Sequence, residues 1–207
     1  MYNVVLNMNN SLFGKGKEKI LECFYRNRSK ELYFSEILRE TSLTQNTTLK
    51  HLDNLQRNNL LILTKKTAHT FYKINAKNLQ IYSIFSYFDY KRFNELPSSR
   101  KRAILEFLES LETKPIIALI FGSTAKKTFT EESDIDILLV FNKKEEVDKK
   151  IIKDLEATTG FHIQTFIIDY EYFKEQILKE EDKVITHAIK TGFVMSGHNY
   201  VYKEALK

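Results

Sequence analysis

Two aspartates, Asp134 and Asp136, stand two residues apart at the head of an apolar run that ends at Phe141. Side chains two positions apart on a strand point to one side, which sets these carboxylates roughly 6–7 Å apart along one face. Two such groups among Ile, Leu and Val repel each other and lose hydration, a cost that a bound cation removes. Oxygen donors at that spacing suit Mg2+ or Mn2+, completed by phosphate oxygens and water. Upstream, the apolar stretch Ile116 to Phe121 runs into Gly122-Ser123, a small-residue turn opening a short helix. Its backbone N–H groups and serine hydroxyl are donors for a phosphate. Lys126 and Lys127, between the two halves, can offset further negative charge, although a plain solvated loop reads the same way. The candidates are therefore Asp134 and Asp136 for catalysis and metal, and Gly122, Ser123, Lys126 and Lys127 for a nucleotide.

The elements that must position these groups follow from hydrophobic period and punctuation. Ile116 to Ile120 reads as a buried strand and the aspartate run as a second. Lys143 to Thr159 reads as a charged amphipathic helix closed by Gly160. Phe161 to Ile168 is a third strand candidate. Tyr170 to Glu180 and Glu181 to Thr191 read as helices, Phe193-Val194-Met195 as a short last strand, Gly197 as a turn and Tyr200 to Lys207 as a closing helix. Ahead of them, Ser98 or Ser99 caps a helix to Leu111 with Ile104, Leu105, Phe107 and Leu108 inward. Alternation of strand and helix from Pro115 onward implies an α/β fold around a small mixed sheet.

Gly122-Ser123, ten residues, then Asp134-Ile135-Asp136, with an apolar strand before the glycine and Ser133 before the first acid, resembles the signature of the nucleotidyltransferase fold shared with DNA polymerase beta, in its minimal form. The stretch from Ile167 through ITHAIKTGFVMSGHNYVYKEAL resembles the tail of minimal members. The resemblance implies Mg2+-dependent transfer of a nucleotide from a nucleoside triphosphate, ATP first among candidates. It also implies a third carboxylate from a later strand, and there the chain carries Gln164, an amide that cannot act as a base and is a poor Mg2+ ligand. Asp169, five residues on, faces the other way and is expected to cap the following helix. Either the substrate supplies the missing charge, or transfer is slow, or nucleotide binds without turnover.

The N-terminal part has a different character. Lys15 to Arg26 reads as a helix with Ile20, Leu21, Phe24 and Tyr25 at helical spacing. Ser35 is the expected cap of a second over Glu36 to Thr41. After Ser42-Leu43-Thr44 a third runs from Gln45 to Asn58, burying Leu49, Leu52 and Leu55. Leu60 to Lys65 and Thr70 to Ile74 alternate as strands joined by Lys66-Thr67-Ala68-His69. Helices followed by a basic hairpin resemble a winged helix-turn-helix domain over residues 12–76, which implies double-stranded DNA as a partner and a homodimer. Gln45, Asn46, Thr47, Lys50 and His51 on the third helix are the candidate base and phosphate contacts. Lys65, Lys66 and His69 at the hairpin tip are the candidate wing contacts. Protein contact alone is the competing reading.

The organisation is thus α+β / α/β in two domains: residues 1–76 winged helix, 77–97 a connector, and 98–207 the nucleotidyltransferase domain. The connector includes an aromatic helix over Asn78 to Asn94, with Ile81, Ile84, Phe85 and Phe88 on one stripe, and Pro97 breaks it. The net charge of +5 conceals an asymmetry: up to Pro97 there are 15 Lys/Arg against 8 Asp/Glu, and beyond it 17 against 19. Basic excess in one half suits a polyanion there. No apolar run reaches the length of a membrane span, and the N-terminus lacks a basic leader and cleavage site. The single cysteine, Cys23, excludes an intrachain disulfide, so a reducing cytoplasmic location is expected. His187 and His198 lack metal-ligand spacing and are expected to be structural.

Three functions stay open: a nucleotidyltransferase placed on DNA or regulating its own operon, with a partner protein among its acceptors; a nucleotide-responsive DNA-binding regulator without transfer; and a nucleic-acid-modifying nucleotidyltransferase.

Overall fold

A computed structural model describes residues 13–206 apart from 29, 67, 68 and 144, and of Lys66 and His69 only the backbone. The apolar stretch within residues 1–12, the turn residues Thr67 and Ala68, and Lys207 lie outside the described residues. The chain divides into two compact units, residues 1–84 and 85–207.

The first unit runs α1 (Lys15–Arg26), β1 (Leu32–Tyr33), α2 (Phe34–Thr41), α3 (Gln45–Arg57), β2 (Leu61–Lys66) and β3 (His69–Ile74). Its strands pair antiparallel in the order β1-β3-β2, with Tyr72 facing Leu32 on one side and Leu63 on the other. Ile20, Leu21, Phe24 and Tyr25 of α1 are buried as their spacing requires. The second helix starts earlier than expected. Glu36 reaches back to accept from the Tyr33 N–H at 2.7 Å, so Tyr33 rather than Ser35 takes the cap position. In α3 the buried stripe is Thr48, Leu52 and Leu55, and Leu49 is 44% exposed. Thr48 turns its hydroxyl back to the Thr44 carbonyl at 3.0 Å, which lets its methyl face the core and rotates Leu49 outward.

The helix α4 (Gln80–Asn94) carries the division between the units, and its expected stripe, Ile81, Ile84, Phe85 and Phe88, is buried.

The second unit continues with α5 (Ser98–Ser110), β4 (Ile117–Ile120), α6 (Gly122–Lys126), β5 (Ile135–Phe141), α7 (Lys149–Thr159), β6 (Ile163–Asp169), α8 (Tyr170–Lys179), α9 (Lys183–Thr191), β7 (Phe193–Ser196) and α10 (His198–Ala205). The sheet order is β6-β5-β4-β7, parallel between β5 and β6 and antiparallel elsewhere, a mixed sheet as expected. Ile135, Ile137 and Leu139 of one β5 face join Ala103, Ile104 and Phe107 of α5 in a core cluster. The alternate residues Leu138 and Val140 are fully buried on the opposite face, where α8 packs. Burial on both faces explains why this strand reads as a continuous apolar run.

Several boundaries shift for identifiable reasons. The helix expected from Lys143 starts at Lys149, because Asp148 caps it by accepting from the Lys150 N–H at 2.8 Å. Pro97, not a serine, holds the cap position of α5, its carbonyl accepting from the Lys101 N–H. The inward stripe of α5 is Arg100, Ala103, Ile104 and Phe107, which leaves Leu105 38% exposed. The closing helix begins at His198, directly after Gly197 in the left-handed region. Asp169 caps α8 by accepting from the Tyr172 N–H at 2.8 Å, as expected. Among the described residues no helix is long and apolar enough to cross a membrane.

Candidate active site

Antiparallel pairing of β4 with β5 brings the two halves of the motif together. The Phe121 N–H donates to the Asp136 carbonyl at 3.1 Å, so the strand that ends in Gly122 lies beside the one that begins with the acids. Gly122 has φ +65°, and a Cβ placed on it would stand 1.9 Å from an Asp136 carboxylate oxygen. Only glycine allows both this backbone and this approach. The Asp136 carboxylate of β5 thus lies directly on the Gly122 turn, and Gly122 and Ser123 both belong to α6, the short helix that the turn opens.

Asp134 precedes β5 and is exposed, whereas Asp136 is partly buried within it. Burial first and the neighbouring Asp134 charge second push the Asp136 carboxyl above its ordinary value, while His187 pulls it down. A partly desolvated acid pair of this kind fits a divalent cation, which offsets both causes at once. The donors are hard oxygens, as Mg2+ or Mn2+ prefer. Among the described residues no group of three His, Cys, Asp or Glu is gathered for a metal.

Gln164 of β6 is the register partner of Asp136 in the parallel pairing, so both side chains leave the sheet on the same face. The amide therefore stands beside the acid pair, at the place on the neighbouring strand where the family resemblance implies a third carboxylate.

The two lysines of the loop separate. Lys127 sits at φ +58° and pairs with Glu95. Lys126 is exposed, without an ion pair among the described residues, and its charge acts on His187. In the first unit Gln45, Asn46 and Lys50 are exposed on α3, and Lys65 is exposed on β2. The Thr47 hydroxyl accepts from Thr44 at 2.8 Å within the helix cap. His51 is half-buried, packed so close to Gly16 that a Cβ there would stand 2.2 Å from its Nε2. The side chains of Lys66 and His69 are outside the described residues.

Two positioning residues, Arg100 and Arg92, escape a reading by spacing. Arg100, 2% exposed, donates to Thr124 Oγ1 at 3.0 Å and to the carbonyls of Thr130 and Ser133 at 2.7 and 2.8 Å. Its guanidinium also lies over Phe129 and Phe161, at 4.2 and 4.8 Å from their ring centres. One side chain thereby fixes α6 to the loop that delivers Asp134. Arg92 donates to Ala125 O at 2.8 Å, Thr191 O at 2.8 Å and Gly192 O at 2.7 Å, tying the ends of α6 and α9 together. His187, on α9, is half-buried with its ring 6.1 Å from that of Phe121, the residue before Gly122. An isolated histidine without metal-ligand spacing gave no signal of this placement. His198, by contrast, lies 3.6 Å from the buried Asp89, which Tyr202 also bonds.

Residues 101–198 match the family model described as a nucleotidyltransferase domain, a span that contains both halves of the motif, Gln164 and His187. Curated proteins and solved structures gave no match. The match lies within the second unit and supports a nucleotidyltransferase domain there, a kind that generally uses a nucleoside triphosphate and a divalent metal. The first unit lies outside the match.

Proposed function

We propose that the chain transfers a nucleoside monophosphate from a nucleoside triphosphate, ATP first among candidates, to an acceptor hydroxyl, with Asp134 and Asp136 as ligands for Mg2+ or Mn2+. The observation that carries this reading is the Asp136 carboxylate lodged against Gly122, with Asp134 close enough to raise its pKa. A cation held by Asp134 and Asp136 would supply charge neutralisation for the triphosphate during attack at the α-phosphorus. The Gly122-Ser123 turn and Lys126 receive the outer phosphates. The acceptor oxygen forms the new bond to the α-phosphorus in line as the bond to pyrophosphate breaks. In the first unit we read a winged helix-turn-helix that binds double-stranded DNA as a homodimer. Its support is the order of helices and strands and the exposure of Gln45, Asn46, Lys50 and Lys65.

The test is incubation with labelled nucleoside triphosphates, Mg2+ or Mn2+, and acceptors drawn from protein, nucleic-acid ends and small molecules. Labelled product that falls by about 100-fold or more in Asp134→Ala is expected, because charge stabilisation in a transition state is lost. A second reading is favoured by Gln164 beside Asp136: a nucleotide-sensing regulator in which binding alters DNA affinity without transfer. Nucleotide binding with no labelled product under any condition selects it.

A further inference from the structure

His187, on α9, lies beside the Phe121-Gly122 turn and within reach of the Asp136 charge. Across the sheet, β6 with Gln164 lies on one side of β5, and β4 with its α6 extension lies on the other. The α9 helix packs on α6, and both the Lys126 and Asp136 charges act on the imidazole. Arg92 locks this arrangement, because its one guanidinium bonds the end of α6 and the last turn of α9 together. The ring is held further by Phe121 edge-on and by Thr191 Oγ1, 3.4 Å from Nε2. Thr191 in turn bonds the His187 carbonyl at 2.9 Å. Nδ1 has no hydrogen-bond partner among the described residues. A pinned, half-buried imidazole next to Lys126, on a helix packed against the one that carries Ser123, adds an N–H donor to a cluster suited to an anion.

We propose that His187 is a polyphosphate ligand of this site, completing with Ser123 and Lys126 the wall that receives the outer phosphates of the nucleotide. The inference rests on the reading of the acid pair as a metal–triphosphate site and adds a residue to it. Burial and Lys126 hold the imidazole below its ordinary pKa, and Asp136 opposes them. An arriving polyanion offsets the lysine charge and gives the ring N–H an oxygen to bond. His187 and Lys126 then grip phosphates that a monophosphate does not have.

The experiment is equilibrium binding of Mg-ATP, AMP and inorganic tripolyphosphate to the full chain and to His187→Ala and His187→Gln, with melting temperatures as a fold control. Expected are a loss of about 10-fold or more for Mg-ATP and tripolyphosphate in His187→Ala, little change for AMP, and partial recovery in His187→Gln, which keeps an N–H donor. Unchanged Mg-ATP affinity in His187→Ala overturns the inference while leaving the metal–triphosphate site standing. Equal losses for ATP and AMP, or a melting temperature that falls in both variants, assign His187 a structural role and overturn it as well. Wild-type protein that binds neither Mg-ATP nor tripolyphosphate overturns the underlying site reading itself.

Discussion

Asp136 holds its proton more tightly in the folded chain than in the unfolded one, since burial and Asp134 both raise its pKa. The sign of the consequence is fixed: folding stability falls as pH rises through the carboxylate range, and at neutral pH the whole cost is present. Without metal, Asp136→Asn is therefore expected to melt at a higher temperature than wild type at pH 7. The gap should close as pH falls toward the ordinary aspartate value of 3.8. With Mg2+ and nucleotide the order should reverse, because only the wild-type carboxylate gains from the ion. Thermal melts in chelator and in Mg-nucleotide check both halves, and an asparagine variant less stable in chelator would contradict them.

Among the elements, the loop between α6 and β5 is held from a distance. Ser133 Oγ accepts from the Thr130 N–H at 2.9 Å and closes the loop locally, but Arg100 fastens it to the rest of the unit. Lysine in its place keeps the charge and loses the fork that reaches Thr124 and two carbonyls at once. Arg100→Lys is expected to cost about 2–3 kcal/mol in denaturant unfolding and to weaken Mg-nucleotide binding together with it. Unchanged stability and affinity would show that the loop holds itself. These contacts also mark where the sequence was legible. The Gly-Ser turn, the acid pair and the two strands that carry them are local in the chain and declare themselves by period and small residues. Arg100 meets partners 24 to 33 residues away, and Arg92 meets Gly192 100 residues away, so no spacing rule finds them. His187 likewise meets Phe121 far away in the chain, a neighbour that spacing does not announce. Apolar character alone predicts Leu49 and Leu105 inward. Thr48 and Arg100 occupy those faces instead, each with its polar atoms satisfied by a partner that only the folded chain supplies.

Over the whole molecule, charge is divided as the proposed functions are. The basic excess lies before Pro97, in the part that carries α3 and the β2–β3 hairpin, whereas the acid pair lies in the part with a slight acidic balance. If the first unit grips duplex DNA, affinity should fall steeply with salt. Gel shifts with the chain's own upstream sequence should show Lys50→Ala and Lys65→Ala each weakening binding and flattening the salt slope by about one unit. Unchanged binding in both variants would remove α3 and the hairpin as the contacting surface. The central claim, however, concerns Asp134 and Asp136 beside Gly122-Ser123, and titration calorimetry of the full chain with Mg-ATP addresses it most directly. The account predicts saturable heat with Mg2+ present, lost in chelator and in Asp136→Asn. Heat that persists unchanged in that variant, or no heat with any nucleoside triphosphate in excess Mg2+ or Mn2+, would contradict it.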